Sequence, residues 1–330
     1  MVESKMEANM RMKVWKGNWG LPSIDTRCLY LMVRSSSNEY AFAKFSGAPI
    51  KLENDFDIWS NLKGNFPILI SDEMIMEGKN KIIEHLRTKG FDSDRDLTDI
   101  QRADILAFDA LLEDKLLPAL LHVYWIDAKN YVDVFRPVYA NFLSFPFNFI
   151  TPGKWQRYNQ ERVETMFGGP HLVEGELKEI IFKKAKKCLN LLSERLHDKD
   201  FFFGDMPTSL DAAVFGYLAP LLRAPLPSTE LQAHLKACDN LCRLVSRIQM
   251  RYFPDIPSDE SQKNKPNENS TTEPYEEEHK RRNQILSVLF AAAMMVGYAV
   301  FSGLVKVQVD DGGFGMEVDY NDEEKDEEVD

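Results

Sequence analysis

The sequence is poor in the patterns that announce chemistry. Its four cysteines, Cys28, Cys188, Cys238 and Cys242, are too few and too scattered for a disulfide framework, and a cytosolic body would keep them reduced. Cys238 and Cys242 stand one helical turn apart, but no second Cys or His pair completes a tetrahedral zinc set. The six histidines show no HExxH spacing. No GxGxxG or P-loop offers backbone amides to a phosphate, and no repeat marks a solenoid. The residues therefore nominate no catalytic, cofactor-binding or metal-binding position.

Basic charge is also short. The chain carries 52 acidic and 40 basic side chains, a formal net of −12. Residues 306–330 hold eleven Asp or Glu and two Lys, a net of −9, which leaves −3 for residues 1–305. A body so close to neutrality argues against nucleic acid as a partner. Residues 1–18 lack an apolar core and include Glu3 and Glu7, so neither a secretory signal nor a transit peptide is expected there.

What is present is one long apolar run. Ile285 to Val305, ILSVLFAAAMMVGYAVFSGLV, has no charged side chain. As a helix its twenty-one residues would reach about 31 Å, the thickness of a bilayer's hydrocarbon core. We expect a single transmembrane helix over 285–305. Small residues four apart (Ser287 and Ala291, Ala293 and Gly297, Ala299 and Gly303) either let another helix approach or simply keep the span moderately apolar. Lys280, Arg281 and Arg282 precede the span and only Lys306 follows it closely. The positive-inside rule then places the body in the cytosol and the acidic tail, 306–330, on the far side. Before the span, Asp255 to Glu278 is polar, bears proline and has almost nothing to bury. Residues 255–284 are expected to be a disordered linker with a basic flank, spanning roughly 25–30 Å as a flexible chain.

The body splits by pattern. In residues 1–92 short strands are expected at Lys13–Trp15, Tyr40–Phe45, Asn65–Ile70 and Met74–Met76. Helices follow Ser23, as cap, through Arg34, and run from Lys79 to Thr88 with Ile82, Ile83 and Leu86 on one face. This β-α-β then β-β-α order is thioredoxin-like, and Pro67 occupies the strand-leading slot that is usually cis. Residues 93–254 read as helical. Ile100, Ala103, Ala107, Ala110 and Leu111 mark one helix face, and Pro118 should kink the chain. Leu177, Ile181, Ala185, Cys188, Leu192 and Leu196 form a second stripe. Thr208 and Asp211 have capping-box spacing ahead of an apolar, buried helix.

One aromatic stretch fits neither period. FLSFPFNF, with Phe142, Phe145, Phe147 and Phe149, carries Pro146 and is followed by Pro152-Gly153. It is a candidate exposed patch that docks a partner subunit or the membrane surface, the alternative for each ring being a place in the core.

A thioredoxin-like half followed by a helical half with a buried capping box resembles the glutathione transferase fold: an α/β N-terminal domain plus an all-α domain, here followed by an anchor. Within that fold the chain resembles the metaxins. The resemblance rests on KGNWGLPSID, AFAKFSGAPIK, LAFDALLEDKLLPALLHVYWIDAKNYVDV, FPFNFITPGKWQ, FFFGDMPTSLDA and RRNQILSVLFAAAMMVGYAVFSGLV, in order along the chain. The terminal anchor is similar to that of the tail-anchored branch. What this implies is a subunit of the mitochondrial outer-membrane import and β-barrel sorting and assembly machinery. Its body would face the cytosol and its tail the intermembrane space. The implied partners are a second, anchor-less metaxin, an outer-membrane β-barrel insertase and, as an alternative role, motor adaptors that move mitochondria. A membrane-bound glutathione-dependent enzyme is the other class the fold allows. Transferases need a hydroxyl or thiol beside the first helix, for which Ser23 is the only candidate, and a Ser at the third helix, where this chain has Gly78. No transferase activity is therefore expected.

Overall fold

The computed structural model describes residues 10–36, 48–53, 66–71, 74–167, 174–254 and 256, with isolated positions between 288 and 314. The chain divides into two compact units, Met1–Pro266 and Asn267–Asp330.

The first unit opens with β1 (Met10–Lys13), where Met10 and Met12 are buried and Arg11 faces solvent, the alternation of a half-covered strand. Helix α1 (Thr26–Arg34) crosses to β2 (Ser35–Ser36), and β3 (Ala48–Glu53) returns parallel to β1, pairing Met12 with Leu52. β4 (Ile68–Ser71) and β5 (Met74–Glu77) add antiparallel, giving a mixed five-stranded sheet in the order β2-β3-β1-β4-β5. The Phe66–Pro67 bond ahead of β4 is cis. Helix α2 (Lys79–Thr88) buries Ile82, Ile83 and Leu86.

The first strand ends at Lys13 instead of starting there. β3 lies at 48–53, where no strand was expected. Pro49 is tolerated because it sits at the start of the strand, opposite the two-residue β2. The expected strand at Tyr40–Phe45 lies outside the described residues.

The helical half begins with α3 (Asp99–Leu111), capped by a reciprocal Thr98–Gln101 box. Three π turns follow, at Leu112–Leu116, His122–Ile126 and Tyr131–Phe135. Between and after them run α4 (Leu117–Leu121), α5 (Ala128–Asn130) and α6 (Arg136–Asn141). Pro118 and Pro137 each sit two residues beyond a π turn. The wider i→i+5 turn makes room for a ring that has no N–H to give, so the bend expected at Pro118 takes this form. Helix α7 (Phe147–Met166) continues across Pro152 and Gly153. In α8 (Glu174–Leu196) the whole stripe from Leu177 to Leu196 is buried.

Helix α9 (Ser209–Arg223) is the hub, buried on every side from Ser209 to Leu221. It packs on α1 across Gly216, where an added Cβ would stand 2.7 Å from the Thr26 carbonyl oxygen. Its N-terminus is held twice. Asp211 accepts from Thr208 N–H (2.7 Å), Thr208 Oγ1 (2.8 Å) and Phe202 N–H (3.0 Å), and the buried Asp94 accepts from Ser209 N–H at 2.9 Å. Asp94 also takes a hydrogen bond from Arg87 of α2 at 3.0 Å, so one carboxylate joins three segments. Helices α10 (Glu230–Ala237) and α11 (Asp239–Tyr252) close the unit. Gln249 of α11 donates to Gly20 O at 2.8 Å.

In the second unit Val309–Asp310 pairs antiparallel with Gly313–Phe314, and residues 288, 291, 292, 294, 295 and 298 are helical. Among the described residues no helix is long and apolar enough to cross a membrane. The expected 285–305 span and 255–284 linker lie largely outside them.

Candidate functional site

Where the sheet half meets the helical half, a cleft of ≈ 1020 Å³ opens. Its walls come from the end of β1, the first turns of α1 and α2, the π-turn region and one face of α7. Aromatic rings form most of it. Trp15 stacks edge-on against Tyr139 (5.4 Å) and Trp155 (5.4 Å), and Tyr139 lies 4.8 Å from Trp125. The α7 wall follows a helical stripe, Phe147, Ile150, Lys154, Trp155, Tyr158 and Arg162.

The groups a thiol transferase would use are not assembled there. Ser23 is fully buried and outside the cleft wall, with its Oγ accepting from Asp25 N–H at 3.3 Å. The cap of α1 is Asp25, whose Oδ1 accepts from Arg27 N–H and Cys28 N–H at 3.0 Å each, so the expected Ser23 cap is corrected by two residues. An aspartate is the better acceptor for two amides at once. Burial, followed by the neighbouring Asp25, pushes the Cys28 thiol well above its ordinary range, and it holds no thiolate. Gly78 does line the cleft, but it has φ +89° and no side chain to offer. Next to it Lys79 is engaged by Asp109 (3.1 Å) and Glu113 (3.0 Å), and its ammonium lies 5.1 Å over the Tyr30 ring. Burial opposes that charge, yet the two carboxylates hold it above the usual lysine value.

The aromatic stretch is a turn over residues 142–146 that leads into a helix, and Phe147 lines the cleft. The Phe145–Pro146 bond is cis, and Phe147 to Phe149 form the first turn of α7. Phe142 is partly buried against Trp15 (6.2 Å) and Tyr139 (6.4 Å). Phe145 and Phe147 are half-buried, and Phe149 is 63% exposed with Ile150 beside it at 53%. Ile150 and Tyr158 continue the same exposed face one and three turns on; sequence reasoning missed Ile150, whose spacing from Phe147 was the available signal. The stripe Ile100, Ala103, Ala107 and Ala110 on α3 is exposed as well, and the buried side of that helix is Ile105. Among the described residues no three His, Cys, Asp or Glu side chains come together as a metal set.

Comparison with known proteins places the molecule. A family profile described as an outer mitochondrial membrane transport complex protein matches residues 36–156, and one described as the glutathione S-transferase C-terminal domain matches 185–248. Metaxin-1 of Macaca fascicularis is 45% identical over 310 residues, covering 92% of this chain and 93% of its own length. The chain belongs to the metaxin family. Metaxin-3 of Xenopus laevis is 41% identical over 74% of this chain and 77% of its own, and the metaxin-1 homolog of Caenorhabditis briggsae 33% identical over 92% and 99%. A solved glutathione S-transferase from Ceriporiopsis subvermispora aligns over 74% of this chain and 97% of its own, at 13% identity and a TM-score of 0.48. The family profile over residues 185–248 marks the helical half as GST-like, and a mixed five-stranded sheet precedes it.

Proposed function

We propose that the chain is a subunit of the mitochondrial outer-membrane machinery that imports proteins and sorts and assembles β-barrels, and that it works by protein–protein contact and not by catalysis. Membership in the metaxin family is the observation that carries the reading. The Cys28 thiol, buried and pushed up by that burial, and Ser23, outside the cleft wall, support the non-catalytic part of this reading. In this reading 285–305 is the anchor, the linker 255–284 tethers a body made of residues 1–92 and 93–254, and the tail 306–330 lies in the intermembrane space. The partners are a second, anchor-less metaxin and a β-barrel insertase, with the α7 lip around Phe149 and Ile150 as the docking surface.

Affinity purification of the full-length protein from mild-detergent extracts of mitochondria, with native size read on the same sample, tests this. Recovery of a second GST-like protein and a barrel insertase, far above monomer size, is expected. Phe149→Ser with Ile150→Ser should lose the GST-like partner while the protein stays anchored. Motor adaptors without the insertase would replace the import reading with a transport one. A bare monomer, or glutathione conjugation by the purified protein, would overturn it.

A further inference from the structure

Helix α8 carries more positive charge than the fold uses. Its buried stripe, Leu177, Ile181, Ala185, Cys188 and Leu192, seats one side on the core. Helical spacing then turns Ile180, Lys183, Lys184, Lys187 and Leu191 outward on the opposite side, and all five are exposed. Residues 178–187 hold five lysines and one glutamate, a net of +4, in a stretch 1–305 whose net is −3. Lys178 and Lys186 are spent within the fold, reaching Glu230 of α10 at 3.5 and 2.9 Å. Lys184 lies 4.6 Å over the Phe167 ring. Lys183, Lys184 and Lys187 make no ion pair among the described residues.

This crowding is unfavourable by itself. Lys183 and Lys187 stand four residues apart, and Lys184 and Lys187 three apart, so the pairs repel one another along the helix. Glu179, one turn before Lys183, makes no ion pair with it, and Glu194 lies two turns beyond Lys187. An outside anion would offset the repulsion. The kind of anion follows from the face. None of these residues lines the cleft, and a single exposed helix face has no walls to enclose a small molecule or a peptide. Its charges are all lysine. Arginine offers a rigid fork to one carboxylate or phosphate, whereas lysine is a point charge on a flexible stem, suited to many mobile headgroups. Ile180 and Leu191, a turn before and a turn after the lysines, add apolar atoms at either end, the pattern of a helix lying on headgroups.

We propose that the exposed face of α8 rests on an anionic bilayer surface, with Lys183, Lys184 and Lys187 meeting acidic headgroups and Ile180 and Leu191 touching the interface. This rests on the anchored part of the reading above. A body joined to a span at 285–305 meets the surface at high effective concentration, so three lysines suffice where a free body would need more. It assigns α8 to lipid and leaves Phe149 and Ile150 of α7 to partners.

The test is a short pulse of an amine-acetylating reagent on the full-length protein in lipid nanodiscs, read lysine by lysine by mass spectrometry. Phosphatidylcholine alone is compared with phosphatidylcholine containing about 30% phosphatidylserine. Lys183, Lys184 and Lys187 should be acetylated at least about fivefold more slowly in the anionic discs, while the exposed Lys51 of β3 changes less than about twofold. About 0.5 M NaCl should remove the difference, since the Debye length then shrinks to about 4 Å. Lys183→Gln with Lys187→Gln, both at exposed positions, should leave Tm unchanged and bring the protection of Lys184 below about twofold. Equal rates in the two compositions overturn the proposal, whether the lysines are protected in both, which assigns them to a protein contact, or in neither. So does protection that survives the salt or that the double variant leaves intact. If the chain does not elute with the discs, the anchor reading falls instead, and the same labelling in an excess of vesicles of the two compositions decides the face.

Discussion

Gly216 has no room for a side chain. Its missing Cβ would stand 2.7 Å from Thr26 O and 3.1 Å from Tyr30 N, both backbone atoms that cannot swing aside. Gly216→Ala should therefore force α1 and α9 apart and lower stability by about 1–3 kcal/mol, read by denaturant unfolding. Asp211 makes a second residue-scale prediction. Burial pushes its carboxyl up to about 6, against the hydrogen bonds it accepts from Phe202 and Thr208. The folded state thus keeps a proton that the unfolded state releases near 4. This contribution to stability is complete below about pH 4 and is lost as pH rises through 6, by roughly 3 kcal/mol in all. Asp211→Asn should flatten the stability profile between pH 4 and 6; an unchanged slope there would assign it to another group. The Thr208–Asp211 spacing was legible in the sequence because a capping box is local. The environment that shifts the carboxyl was not, because it comes from Phe202 and the full enclosure of α9. Ser23 shows the same limit: Ser and Asp are both good caps, and only the backbone path decided for Asp25.

Among the elements, α7 gives the sharpest test of what its aromatics do. Phe142 packs on Trp15 and Tyr139, so Phe142→Ser should cost about 2–4 kcal/mol. Phe149 and Ile150 are more than half exposed, and changing both to Ser should stay within about 1 kcal/mol by thermal melting. A large loss from the second pair would return the lip to the core. Elements with a clean period were legible: α2 runs over Lys79–Thr88 as expected, and α8 buries its stripe. Elements set by long-range pairing were not. β3 carries Pro49 within it and exists because β1 and β2 flank it. The π turns have no local sequence signature beyond the prolines that follow two of them. The cleft was legible only in its absences, at Gly78 and in the lack of a paired thiol. Its aromatic wall combines residues 15, 125, 139 and 155, which no window of sequence brings together.

At the scale of the whole molecule the question is how the body is held. Residues 285–305 carry no charge, with three basic residues before them at 280–282 and a net −9 after. On the proposed reading the three basic residues stay on the cytosolic side of the span, as the positive-inside rule asks. Full-length protein should resist alkaline carbonate extraction from mitochondria, whereas a chain ending at Gln284 should appear in the soluble fraction with its body folded. Protease added to intact mitochondria should remove residues 1–254 and leave an epitope placed after Asp330 protected, until the outer membrane is ruptured. Digestion of that epitope together with the body would put the tail in the cytosol, and extraction of the full chain by carbonate would remove the anchor altogether.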